Sequence, residues 1–141
     1  MKDCLIIGPA YAFCYDDAVK LLIEKVLKVG IWTVGWESDK SEKGRLACNW
    51  FTTFQVNRPE EKKLLLTKTY NENDYPTYDN FSAIESKSKD IPVDYDGLIG
   101  VPPTFFKYYD YLPYEVLEKR GDLVLNGKQM FTRLIIRRKT E

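Results

Sequence analysis

The sequence contains no histidine, and its three cysteines (Cys4, Cys14 and Cys48) are odd in number and show no Cys-x-x-Cys spacing. The chain therefore lacks the commonest general base near neutral pH and the usual nitrogen ligand of zinc. An odd cysteine count without paired spacing also argues against a disulfide framework. Long apolar runs are missing as well. The opening MKDCLIIGPAYAF is interrupted by Asp3, Gly8 and Pro9, so it reads neither as a signal peptide nor as a membrane span. These absences lead us to expect a cytoplasmic protein with no membrane partner. Net charge is zero, with 21 basic and 21 acidic side chains.

What is present is an ordinary globular composition with an aromatic excess. At 141 residues the chain is long enough for one domain with its own core. Ten tyrosines and seven phenylalanines raise the aromatic share to 14%. Such residues either line a binding face or fill a core. The neutral total is unevenly spread. Residues 70–96 carry seven carboxylates against two lysines, and residues 119–141 carry seven basic side chains against two acids. Either the two segments neutralise one another in the fold, or the second forms a basic face for a polyanion.

CLIIG (Cys4–Gly8) reads as a buried strand. DDAVKLLIEKVLK (Asp16–Lys28) has apolar residues at helical spacing, with aspartates in the first turn and Gly30 as the stop. IWTVGW (Ile31–Trp36) reads as a second strand. This order predicts a right-handed βαβ crossover and a parallel sheet. ESDKSEKGR (37–45) reads as a polar, mobile stretch. LACNWFTTFQV (46–56) and KLLLTKTY (63–70) read as strands. Residues 71–106 lose periodicity and are expected to be irregular, pinned by Tyr75, Tyr78, Phe81, Ile84 and Tyr95. YEVLEK, DLVLNGKQ and MFTRLIIRRK read as closing strands, with Asn126-Gly127 as a tight hairpin turn. The expected architecture is α/β. A single domain spans 1–141, with sheet and helix in 1–70 and the irregular segment plus closing strands in 71–141.

Three motifs tempt a chemical reading. Asp94 and Asp96 precede Gly97, but Leu98 and Ile99 stand where a calcium loop needs oxygen ligands, so turn-forming roles fit better. GLIG (Gly97–Gly100) lacks the Lys-Ser/Thr and the further glycine of a phosphate loop. VPPT (Val101–Thr104) is a near miss of the Asn/Asp-Pro-Pro-aromatic loop with which enzymes that methylate base amino groups hold a flipped base. Val101 supplies no acceptor and Thr104 no stacking ring.

NWFTT (Asn49–Thr53), YPTYDNFSAIE (Tyr75–Glu85), KDIPVDYDGLIGVPPTFF (Lys89–Phe106) and FTRLIIRRK (Phe131–Lys139) resemble the C-terminal half of EcoRI-type adenine-specific DNA methyltransferases. LIIG, with Ala12 and Tyr15 behind it, and Ile31-Trp32 extend the resemblance over nearly the whole chain in the right order. The resemblance implies a partial methyltransferase-like (Rossmann-like) sheet with a strand-rich, irregular C-terminal extension. It also implies S-adenosylmethionine as cofactor, duplex DNA as substrate, and methyl transfer to adenine N6. The family's cofactor loop and Asn/Asp-Pro-Pro-aromatic loop lie before the matched part, so no residue here matches a catalytic position. The expectation is a fragment, split subunit or remnant that is inactive alone, paired with a complementary N-terminal half or with itself; a non-catalytic DNA-binding or protein-interaction module is the alternative. The candidate DNA contacts are Lys87, Lys89, Lys107, Arg133, Arg137 and Arg138 for phosphates, with Asn49 and Asn80 for a base. Phe105 and Phe106 either touch the substrate or anchor the loop in the core.

Overall fold

The computed structural model describes residues 3–9, 12–56 and 63–140. The chain divides into two compact units, Met1–Asn57 and Arg58–Glu141. The fold is α/β and strand-rich, as a partial methyltransferase-like sheet requires.

The first unit holds β1 (Leu5–Pro9), α1 (Asp16–Ile23), β2 (Lys28–Glu37) and β3 (Lys43–Thr52). Helix α1 is shorter than its sequence pattern. Asp16 and Asp17 occupy its first turn, where the helix dipole favours them, and Val19 and Leu22 are buried. It stops because Lys25 takes a left-handed conformation (φ 58°), so Val26 and Leu27 lie outside it. Gly30 does not end the helix. It sits within β2 opposite Trp50, whose indole would collide with any Cβ there.

The sheet runs in the order β1-β3-β2, and both pairings are antiparallel. The predicted parallel contact between β1 and β2 does not form. The two strands point the same way, but β3 returns through a five-residue connection and inserts between them. That connection, expected to be mobile, is tied: Ser38 Oγ accepts the N–H groups of Lys40 and Glu42, each at 3.2 Å. The amide of Thr53 donates to the carbonyl of Cys4 at 3.2 Å. Antiparallel alternation then gives Ile6–Phe51 and Gly8–Asn49 as hydrogen-bonded pairs and turns the polar groups of Leu5 and Ile7 to the outer edge. Among the described residues no strand meets that edge. Leu5, Ile6 and Ile7 are 63%, 56% and 59% exposed, so both faces of β1 are open.

The second unit is built on the mixed sheet β4-β5-β9-β6: β4 (Ala83–Glu85), β5 (Leu98–Val101), β6 (Tyr114–Arg120) and β9 (Arg133–Arg138). β4 and β5 are parallel, and β9 is antiparallel to β5 and β6. The small hairpin β7 (Val124–Leu125) and β8 (Lys128–Gln129) turns on Asn126 and Gly127, both at positive φ (51° and 77°), as predicted for Asn-Gly. Leu134, Ile135 and Ile136 are all fully buried, so both faces of β9 are covered.

Two expectations change here. The stretch 71–106 is not irregular throughout: β4 and β5 lie within it and supply half of the main sheet's strands. Lys63–Tyr70 forms no ladder, although Tyr75, Tyr78 and Ile84 are buried as predicted. Side chains satisfy amides of that segment: Leu64 N–H donates to the Tyr111 hydroxyl at 2.7 Å and Tyr70 N–H to Asp94 Oδ1 at 2.6 Å. Leu65 is left 80% exposed.

Candidate nucleic-acid interface

Parallel β4 and β5 place the connections that follow them at one end of the sheet, the end where open α/β sheets bind ligands. Ser86 N–H donates to the carbonyl of Gly100 at 2.9 Å and carries the ladder one step past β4. Lys87 and Lys89 come next and are exposed. After β5, Pro102 and Pro103 open a short 3-10 helix, Pro103–Lys107, where the missing proline N–H costs nothing. Its Phe105 and Phe106 are 0% and 4% exposed: they anchor the loop in the core and do not reach a substrate. Lys107 is half-buried at the helix end. Burial, and then the charge of Lys89, lower its pKa. Among the described residues, Lys87, Lys89 and Lys107 have no carboxylate within ion-pairing distance. A cleft of about 400 Å³ opens beside Lys87, lined also by Lys68, Tyr75, Ser86 and the carboxylates Asp74, Glu85 and Asp90.

The arginines behave differently. Arg133, at the same end of the sheet, donates from Nε to both oxygens of Glu85 at 3.1 Å. Glu85 also accepts the Tyr78 hydroxyl, making a nearly buried triad. Arg137 and Arg138 lie at the other end of β9. Arg137 pairs with Glu115 at 2.7 Å, and Arg138 with Asp96 at 3.5 Å. The candidate cations therefore split: Lys87, Lys89, Lys107 and the engaged Arg133 at the carboxyl end of β4 and β5, Arg137 and Arg138 away from it.

Comparison with known proteins gives this arrangement a context. Residues 36–139 match the family described as adenine-specific methyltransferase EcoRI. The chain belongs to that family. It is 41% identical over 100 residues to the type II methyltransferase M.EcoRI of Escherichia coli, covering 65% of this chain and 30% of that protein. It is 30% identical over 115 residues to the type II methyltransferase M.MgeORF184P of Mycoplasma genitalium, covering 64% and 36%. With M.MpnI of Mycoplasma pneumoniae the identity is 36% over 74 residues, covering 50% and 23%. The chain thus spans between 23% and 36% of the length of these curated relatives. No solved structure matches it.

Both asparagines sit in family-matched blocks; Asn49 is buried, and Asn80, though exposed, uses its amide on the protein's own backbone. Asn49 lies on β3 and is 0% exposed. Asn80 clamps the β7–β8 hairpin, donating to the Asp122 carbonyl at 2.8 Å and accepting the Val124 N–H at 2.9 Å. Its neighbour Asp79 accepts the amides of Asn126 and Gly127 at 3.1 and 2.7 Å. The sequence offered a signal for this use, because Asx side chains bonding turn amides are common.

The glycines of GLIG do not form a cofactor cradle, which needs open space above the backbone: the Tyr95 side chain fills the space over Gly97, 2.6 Å from where a Cβ would stand, and the Tyr78 side chain fills that over Gly100. Asp94 and Asp96 are spent on Tyr70 N–H and Arg138. Among the described residues no three acidic or cysteine side chains gather as metal ligands. No described helix is long and apolar enough to cross a membrane.

Proposed function

We infer that this chain supplies the DNA-contacting part of an S-adenosylmethionine-dependent DNA adenine-N6 methyltransferase and does not transfer a methyl group by itself. The observation that carries this reading is the lysine cluster Lys87, Lys89 and Lys107, unpaired at the carboxyl end of β4 and β5 within the family-matched stretch. Lysines placed so are available to phosphates, which dominate affinity for duplex DNA. Methyl transfer needs a base-holding acceptor and a cofactor cradle, and VPPT and the filled glycines supply neither.

Those parts come, in this reading, from a polypeptide that carries the cofactor loop and the Asn/Asp-Pro-Pro-aromatic loop. The β1 edge is where its sheet would continue. A run of three open aliphatics suits a strand covered on both faces, and natural free edges are usually charged or blocked. The relatives, more than twice as long, have the extra chain to provide such a cover. Sedimentation of the chain alone should show a monomer; self-association abolished by Ile6→Lys would assign the surface to a second copy instead.

The decisive experiment is binding to labelled duplex DNA at several salt concentrations, with and without S-adenosylmethionine. Each neutralised phosphate contributes about 0.9 to the log–log salt slope. Binding should weaken steeply with salt, flatten when Lys87, Lys89 and Lys107 are changed together to alanine, and ignore the cofactor. Absence of binding at low salt would overturn the reading. Methyl transfer by the chain alone would overturn the division of labour.

A further inference from the structure

The near-miss motif VPPT keeps an unused hydroxyl, and the structure shows where it goes. Thr104 Oγ1 lies 2.9 Å from Ser88 Oγ, a hydrogen bond between the loop after β4 and the helix after β5. Ser88 is 6% exposed, so the bond is largely shielded from water. In a 3-10 helix, residues three apart eclipse, which sets Thr104 on the same side as Lys107. Ser88 stands between Lys87 and Lys89 in the chain. The hydroxyl pair therefore bridges the two segments that carry the lysines. Two ammonium groups repel, and nothing in their own chemistry would hold them together before an anion arrives.

We propose that Ser88 and Thr104 are positioning residues that hold Lys89 and Lys107 as a preassembled clamp for one phosphodiester of bound DNA. This rests on the reading that the lysine cluster contacts DNA. Neither hydroxyl needs to touch the phosphate. Their bond fixes the spacing of two cations that would otherwise swing apart, so the cost of ordering them is met in the free protein. Burial, and then the charge of Lys89, lower the pKa of Lys107 in the free protein.

The test uses Thr104→Val, which keeps the shape and deletes the hydroxyl, with Thr104→Ser as the conservative variant. Fluorescence anisotropy against labelled duplex DNA should show Thr104→Val binding about fivefold more weakly, the equivalent of one hydrogen bond. Its salt slope should be shallower by about 0.9, one phosphate. Thr104→Ser should restore both, and Ser88→Ala should reproduce the loss. A Thr104→Val protein with native circular dichroism and unchanged affinity and slope would overturn the proposal. Should Thr104→Val not fold, Ser88→Ala decides on the same criteria. If the wild type binds no DNA, the functional reading falls, and an NMR titration of the Lys107 ammonium still decides the positioning role. Loss of the hydroxyl should raise that pKa toward the ordinary lysine value as Lys89 moves off; no change would sink it.

Discussion

Glu85 accepts from two donors that are themselves nearly buried, so its removal should be strongly destabilising. Arg133 and Glu85 have side-chain exposures of 12% and 17%. Glu85→Leu would strand a guanidinium in a site with little water and leave the Tyr78 hydroxyl without its acceptor. Breaking a buried pair by removing one partner costs about 3–5 kcal/mol. The residual exposure of both groups argues for the lower end, about 3 kcal/mol. For a unit of this size that lowers the melting temperature by roughly 12–24 °C. Urea unfolding followed by circular dichroism measures the loss. The companion variant Glu85→Leu with Arg133→Leu removes both charges and should recover much of it, because two desolvated ions are replaced by apolar volume. A loss below about 1 kcal/mol for Glu85→Leu, or additive costs in the pair, would refute the view of this triad as a coupled, water-poor unit.

Burial, then the hydrogen bond to Glu85, holds the Tyr78 pKa far above its ordinary 10.0. The folded protein keeps this proton where the unfolded chain has lost it, so stability is full below pH 10 and falls as pH climbs further. Tyr75, Tyr95 and Tyr114 are raised by burial and act with the same sign. Tyr78→Phe should flatten the fall above about pH 10 in urea melts; an unchanged profile would count against it. Gly100→Ala should cost at least about 2 kcal/mol, since its methyl would meet the Tyr78 ring, with Cε2 at 2.7 Å, on a rigid strand. Asn80→Ala should cost about 1–2 kcal/mol by freeing the β7–β8 hairpin, while leaving DNA affinity at low salt unchanged; a loss of affinity without a loss of stability would return Asn80 to the interface.

Local chemistry was legible in the sequence and long-range pairing was not. The Asn-Gly turn, the closing strands and the buried tyrosines of the central segment follow from side-chain type and spacing, which any short window reveals. The end of α1 does not, because Glu24 to Lys28 keeps apolar residues at helical positions while Lys25 turns left-handed. β4 and β5 were hidden for another reason. AIE and LIGV are too short to show a period, and each becomes a strand only through a partner more than ten residues away. KLLLTKTY shows the converse: it has strand composition but finds no ladder, since Tyr111 and Asp94 take up amides of the segment. Insertion of β3 between β1 and β2 depended on a hairpin whose connection read only as a charged loop.

The charge pattern left two readings open, and the structure divides them between arginine and lysine. Arg133 and Arg138 reach back to Glu85 and Asp96, so the basic end and the acidic middle do neutralise each other at those points. Arginine suits this use, because its delocalised guanidinium is weakly hydrated and tolerates partial burial. Among the described residues, the two lysines of the acidic middle segment and Lys107 meet no carboxylate, although a balance of seven acids against two bases in residues 70–96 suggests that they should. Topology accounts for that. Glu85 is consumed by Arg133 and Asp96 by Arg138, while Lys87 and Lys89 are carried past the end of β4 toward a third lysine. The segment with the largest negative balance thus contributes two of the three cations of the candidate interface. The position of a charge along the chain is a weak guide to the field it makes once strands set which groups meet.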